Sequence, residues 1–269
     1  MQTRIPKLDV YLRTHTGANV HPGERFIPFG KDTLVVGCVR SLVRSLVAAK
    51  TVVDATLTIV DDHSVQTAVD SLVHIARASG LTWKLIQLPP EETGNSASLR
   101  AAYRVARETA RELVYFVEDD YLHEESAIAE MVLSREMFAR HLGQSEVGIS
   151  PVDYPDNYGR LFEECRIVAG NSRHFRTVRH STGTLLIPKT LFMKNWDLFA
   201  SLGLYGLIPE ISETSSINRI WLAPDAFLFA PVPTLAIHMQ FKENIPPYVH
   251  WEKWWERYAV DNTRATVPK

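Results

Sequence analysis

The sequence predicts an α/β protein with a mostly parallel central sheet, on three observations. Short β-branched runs alternate with amphipathic helical stretches through the first 123 residues. Two of those runs, 55–60 and 113–117, stop abruptly in acids, Asp61-Asp62 and Glu118-Asp119-Asp120. The composition, 45% hydrophobic and 22% charged over 269 residues, provides a sizeable core. Alternating strands and helices imply crossover connections, hence parallel neighbours with helices covering the sheet.

Residues 8–12 (LDVYL) read as the first strand, running into Arg13-Thr14-His15. The polar stretch 16–30 is a long loop, of the kind usually functional or mobile. Asp32 or Thr33 is expected to cap a helix over 34–49, where Val35, Val39, Leu42 and Leu46 recur at helical spacing. A second strand spans 55–60, a helix 67–78 is closed by Gly80, and 82–88 is a third strand. After Pro89-Pro90 and Gly94, residues 96–111 form a helix. It buries Leu99, Ala102, Tyr103 and Ala106, with Arg100 opening it near the strand ends and Arg104, Arg107 and Arg111 as a solvated face. Residues 113–117 (LVYFV) suit a strand buried on both faces. Charges cannot follow inside, so the three acids sit at its C-terminal mouth, where open α/β sheets place their ligands. Glu124-Glu125-Ser126 then opens a helix through Ile128, Met131 and Val132.

The second half is less regular. Strands are expected at 147–152, 184–187, 227–230 and 235–237, the last ending at His238, and helices at 191–202 and 248–258. Residues 210–220 carry a helical pattern, and 153–180 read as a polar, basic, irregular segment. No composition shift marks a boundary, so one domain is expected. It has a donor half (8–123), an acceptor half (124–245) and a C-terminal aromatic helix with a tail (246–269). Tyr248, Trp251, Trp255 and Tyr258 share one face of that helix. Docking onto the core is the first expectation for them, and peripheral membrane contact the second.

A net charge of -2 excludes bulk nucleic-acid binding, which shows as a basic excess. Two cysteines, Cys38 and Cys165, make no disulfide framework. No run has signal-peptide or membrane-spanning character. A cytoplasmic protein is expected, with docking at the inner face of the membrane as the variant.

The motif order then resembles a family. RTH ends the first strand, IVDDHS (59–64) the second, GNSASLRAAYRVARE spans 94–108, and LVYFVEDD (113–120) follows. This is similar to the inverting glycosyltransferases of the GT-A fold, above all the bacterial family-two group. STGTLLI (181–187) and EISET (210–214) resemble that family's acceptor-side strand and base region. His63 stands where the family commonly has Gly, and Glu118-Asp119-Asp120 replaces a simple D-x-D.

The resemblance implies a sugar donor activated as a UDP-, GDP- or dTDP-sugar and a divalent cation, Mn²⁺ or Mg²⁺. Asp120, with Asp119 or Glu118, and a late His238 would hold the ion, imidazole suiting Mn²⁺ better than Mg²⁺. Asp119 would reach the ribose or the donor sugar. Thr14, His15, Asp61 and Asp62 would bind the nucleoside, and Arg100 the diphosphate. Glu213 is the implied catalytic base, with Glu210 second. The acceptor is a glycan or a lipid-linked sugar, and the setting bacterial surface-polysaccharide assembly. From the residues themselves, the arginines of 166–180, with Arg173, Arg176 and Arg179 foremost, suggest that the acceptor is acidic. Two alternatives stand. A sugar-1-phosphate nucleotidyltransferase needs a glycine-rich basic phosphate loop, which RTHTGANVHPGER (13–25) matches poorly. The other is a non-catalytic nucleotide-sugar or glycan-binding module on the same fold.

Overall fold

The computed structural model describes residues 4–16, 26–159 and 164–261. The first half alternates as the sequence suggests: β1 (Lys7–Thr14), α1 (Lys31–Ala48), β2 (Asp54–Asp61), α2 (Gln66–Ala78), β3 (Thr82–Gln87), α3 (Asn95–Thr109) and β4 (Leu113–Glu118). Then come β5 (Tyr121–His123), α4 (Ala127–Leu142), β6 (Val147–Ile149), β7 (Ile167–Ala169), β8 (His174–Val178) and β9 (Leu185–Pro188). The chain continues with α5 (Lys189–Lys194), α6 (Trp196–Leu202), β10 (Phe227–Val232), β11 (Ala236–His238) and α7 (Trp251–Trp254).

Nine strands make one sheet in the order β3-β2-β1-β4-β9-β6-β10-β8-β7. Only β9 and β8 run against the rest, so the sheet is mostly parallel. Its middle follows from strand alternation. Leu8, Val10 and Leu12 of β1 and Tyr115 and Val117 of β4 meet Val35, Val39, Leu42 and Leu46 of α1 on one face. Tyr11, Val114 and Phe116 meet Leu99, Tyr103 and Ala106 of α3 on the other. The parallel register sets Thr14 beside Asp61 and Arg13 beside Glu118, so both acid-tipped strands end at one edge.

Several elements differ from expectation. Gly30, not the side chain of Asp32 or Thr33, stands at the N-cap of α1. The acids after β4 do not lead directly into a helix. β5 intervenes, pairing antiparallel with β11 so that His238 lies opposite Tyr121. The segment 153–180 contains the β7–β8 hairpin, whose β8 pairs with β10 and extends the sheet. Asn195 divides the 191–202 helix into α5 and α6. The 210–220 pattern becomes helical only at the 3₁₀ turn Ile217–Leu222, so Glu210 and Glu213 precede it. Most of the long loop, 17–25, and the tail from 262 lie outside the described residues.

Arg111 is no solvated side chain. It donates to Asp9 (2.9 Å), Asp54 (2.8 Å) and Thr56 (2.9 Å), tying the start of β4 to β1 and β2. The aromatic stripe covers α1. Trp255 stacks on Phe29 at 4.3 Å, Trp251 meets Phe26 edge-on at 5.3 Å, and Arg40 donates to the Ala259 carbonyl at 2.6 Å. Tyr248 donates its hydroxyl to buried Asp153 at 2.7 Å. No helix among the described residues is long and apolar enough to cross a membrane.

The docking depends on Gly37, where a Cβ would come within 2.2 Å of the Trp255 ring. Replacing a helix-interior glycine by alanine normally stabilises by ~1 kcal/mol. Here overpacking, ~1–3 kcal/mol, has the opposite sign and wins. Gly37→Ala is therefore expected to lower the denaturation midpoint and speed proteolysis within 246–261. A stabilised variant would contradict this packing.

Candidate functional site

A cavity of about 710 Å³ opens at the C-terminal edge of β1, β2 and β4. Among the described residues lining it are six carboxylates, Asp62, Glu118, Asp119, Asp120, Asp156 and Glu213, against the cations Arg13 and Lys31. Each carboxylate is fixed differently. Asp61 lies behind the cavity, fully buried, accepting the Thr14 hydroxyl at 2.8 Å and the Ser64 amide at 3.2 Å. Asp62 accepts from the Gly94 amide (2.8 Å) and from His63 Nδ1 (2.9 Å). His63 itself has φ 56°, in the left-handed region that favours glycine.

The β4 mouth is held from β1. The His15 amide donates to Asp119 at 2.6 Å, and the His15 ring bonds the Asp62 carbonyl at 2.5 Å. Arg13 donates to Glu118 at 2.5 Å, to Asn95 at 2.7 Å and to Ser98 at 3.0 Å, joining β4 to the first turn of α3. Burial pushes the Asp119 carboxyl up to about 6, against the pull of Lys31 and the His15 amide and with the push of Asp120. Burial also raises Glu118, against the pull of Arg13.

His238 returns to this mouth through the β5–β11 pairing. Its Nε2 lies 3.4 Å from Asp120. The ring stacks on Tyr121 at 4.4 Å, and Nδ1 lies 3.3 Å from the Tyr121 hydroxyl and 3.2 Å from that of Tyr154. Those two hydroxyls bond each other at 2.7 Å, and Tyr121 also bonds Thr182 at 2.7 Å. Burial opposes charge on His238, but Asp120, Glu118 and Glu213 together outweigh it and the imidazole is raised above its ordinary value. Among the described residues no three His, Cys, Asp or Glu side chains converge as a complete metal site. Asp120 and His238 form a two-ligand pair, which fits an ion that completes its shell with substrate phosphates and water.

No protein-family model matches the sequence, and no curated protein matches it. Solved structures match at the level of fold. The mannosyltransferase PcManGT from Pyrobaculum calidifontis, in complex with GDP-Man and Mn²⁺, superposes with TM-score 0.54 at 14% identity, covering 95% of this chain and 62% of that one. The 1–349 fragment of S. aureus TarS superposes with TM-score 0.51 at 14% identity, covering 83% and 60%. The UTP-bound UGPase from Acinetobacter baumannii gives 0.51 at 13% identity, covering 94% and 93%. The chain thus spans about six-tenths of the first two and nearly all of the third. The fold is of the GT-A type.

Within this GT-A frame the sequence-derived residues divide. Thr14, His15, Asp62, Glu118, Asp119, Asp120, His238 and Glu213 line one cavity. Asp61 supports it from behind. Glu118, expected among the metal ligands, is turned to Arg13 instead. Arg100, expected at the diphosphate, donates to the Gly203 carbonyl at 3.0 Å and lines a separate groove. Glu210 is exposed and does not line the cavity, whereas Glu213 does. The three acceptor arginines lie elsewhere. Arg173 donates to the carbonyls of Pro233 and Thr234 at 3.0 and 2.9 Å and pairs with Glu124. Arg176 is buried against Asp153, with its guanidinium 4.1 Å from the Tyr158 ring centre. Arg179 is exposed and outside the cavity lining. Sequence reasoning missed Lys31, Asn95, Tyr154 and Thr182, which line the cavity, and the bracing role of Arg13. Arg13 carried a signal, as a cation where a buried strand reaches the acid-rich edge. Tyr154 carried none.

The raised Asp119 carboxyl has a stability consequence. Between about 4 and 6 the native protein holds a proton that the unfolded chain has released, so stability falls as pH rises through that window. A two-unit shift corresponds to at most ~3 kcal/mol. In chelator, Asp119→Asn is expected to be more stable than the wild type at pH 8, by up to that amount, the gap closing towards pH 4. Denaturant titrations across pH check it, and a gap independent of pH would remove the burial argument.

Proposed function

We propose that this chain is a metal-dependent glycosyltransferase that moves a sugar from a nucleoside-diphosphate donor to a glycan or lipid-linked acceptor with inversion, in bacterial surface-polysaccharide assembly. One observation carries the reading. Asp62, Asp119, Asp120, His238 and Glu213, from four separate stretches of chain, meet around one cavity at the sheet edge where GT-A folds bind ligands. Its carboxylate excess would repel a bare diphosphate, so a nucleotide ligand implies an accompanying cation. The mannosyltransferase neighbour, in complex with both GDP-Man and Mn²⁺, agrees with that requirement.

Asp120 and His238 are the residues to hold a divalent ion, and Mn²⁺ or Mg²⁺ would neutralise the charge that develops on the departing diphosphate. The Tyr121 and Tyr154 hydroxyls beside Nδ1 keep Nε2 turned to Asp120. Asp62, braced by Gly94, and Asp119, braced by His15, offer carboxylate oxygens to ribose or donor-sugar hydroxyls. Lys31 supplies a positive charge on the phosphate side. Glu213, half-buried on the turn before the 3₁₀ helix, takes the proton from the acceptor hydroxyl as its oxygen attacks the anomeric carbon. The proton ends on the Glu213 carboxylate, and the nucleoside diphosphate leaves from the opposite face of the sugar.

The near end-to-end match to the UGPase supports a second reading, a sugar-1-phosphate nucleotidyltransferase. Products separate the two. Incubation with UDP-, GDP- or dTDP-sugars and Mn²⁺ should release nucleoside diphosphate, faster with acceptor, and NMR of the product should show inverted anomeric configuration. Pyrophosphate release from a nucleoside triphosphate and a sugar 1-phosphate would instead establish the second reading. Sugar-nucleotide binding without turnover would leave a binding module.

Glu213→Gln keeps the size of the side chain and removes its basicity. A kcat loss of ~10²–10⁴ is expected, with donor affinity unchanged. Glu210→Gln, altering an exposed side chain outside the cavity, should turn over like the wild type. Undiminished turnover in Glu213→Gln would remove the base assignment.

A further inference from the structure

We propose that the groove between α3 and α6 is a second ligand site, one that takes an anionic segment of an oligosaccharide. The groove has a volume of about 530 Å³, within the size range of small-ligand sites. Arg100, Arg104 and Arg107 stand at i, i+4 and i+7 of α3, so they share one face. All three line the groove with Met193 and Trp196, and Glu108 is the carboxylate among them.

The three arginines are not equivalent. Arg100 is committed to the Gly203 carbonyl. Arg107 lies over Trp196, its guanidinium carbon 4.4 Å from the ring centre. The ring attracts the cation without taking a hydrogen bond from a partner oxygen, so the guanidinium keeps N–H donors for a carboxylate or phosphate. Arg104, one turn earlier, is exposed. Its spacing from Glu108 would allow an ion pair, yet none forms, and it has no acidic partner among the described residues. Two cations with unused donors, one already held over the Trp196 ring, suit an anion. Met193 and half-buried Trp196, both lining the groove, offer an apolar surface to the carbon face of a sugar ring.

The groove neighbours the cavity along α3. The first turn of α3, through Asn95 and Ser98, lines the cavity, and later turns of the same helix line the groove. Tyr205 of the cavity stands two residues from Gly203 of the groove, and its carbonyl accepts the Ser96 hydroxyl. An acceptor chain reacting near Glu213 can therefore run over 203–208 into the arginine groove. This gives the acceptor the acidic character that Arg173 and Arg176, locked in internal pairs, do not supply. The role as an acceptor subsite rests on the proposed transferase reading; the binding itself does not.

Calorimetry on the full chain tests it with three probes: pentagalacturonate, an oligomer of glycerol phosphate, and neutral maltopentaose. At least one anionic probe is expected to bind ten-fold or more tightly than maltopentaose, and more weakly as salt is added. Which anionic probe binds distinguishes a carboxylate from a phosphate ligand. Arg104→Gln with Arg107→Gln should lose that binding ten-fold or more, with an unchanged melting curve and unchanged titration by UDP or GDP with Mn²⁺. Arg107→Lys, which keeps charge but not the planar fork, should lose several-fold. Equal affinity for acidic and neutral probes, no binding of either anionic probe, or full binding by the double variant would each overturn the site. Failure of nucleotide binding in the wild type would count against the transferase reading alone.

Discussion

Like-charge repulsion at the C-terminal edge of the sheet is the constraint on which the rest of the structure turns. Parallel register between β1, β2 and β4 brings Asp61, Asp62, Glu118, Asp119 and Asp120 to one edge. Carboxylates that close stay ionised only where cations or hydrogen-bond donors meet them. Much of the local architecture is that compensation. Thr14 and Ser64 serve Asp61, Gly94 and His63 serve Asp62, Arg13 serves Glu118, and the His15 amide serves Asp119. At Asp120 a partner is His238, whose Nε2 lies 3.4 Å away.

That compensation links the two halves of the chain. His238 reaches Asp120 because β11 pairs with β5, three residues placed directly after the acids. Tyr121 of β5 then stacks on the same histidine. One short antiparallel pair thus places His238 and Tyr121 beside Asp120, while Glu213 comes from a turn braced by Asn218, whose amide donates to its carbonyl at 2.9 Å. The buried Arg176–Asp153 pair, bonded also by Tyr158 and Tyr248, anchors the β8 side and the C-terminal segment together. Breaking such a pair on one side typically costs ~3–5 kcal/mol, so these arginines are built into the frame.

The first half of the fold was legible because its signals are local. The 3.6-residue spacing of Val35, Val39, Leu42 and Leu46 and the doubly apolar run of β4 each specify an element without help from distant residues. The acids at the ends of β2 and β4 pointed to the cavity for the same reason. β5, β7 and β11, three residues each, carry too little pattern to be read, and only their pairing defines them. Arginine roles were the least legible. Whether Arg173, Arg176 or Arg111 is solvated or internally paired depends on Glu124, Asp153 and Asp9, which are distant in sequence. A dense basic segment therefore suggested an acceptor site, while Arg173 and Arg176 within it are spent on internal pairs.

The central claim is that the acid-lined cavity takes a nucleoside diphosphate together with a divalent cation. Titration calorimetry of UDP, GDP and dTDP against the full chain, in Mn²⁺ and in chelator, tests it most directly. At least one diphosphate is expected to bind strongly in Mn²⁺, with the binding largely lost in chelator, in Asp120→Asn and in His238→Ala. Equal affinity with and without the metal, or binding that survives both substitutions, would contradict it.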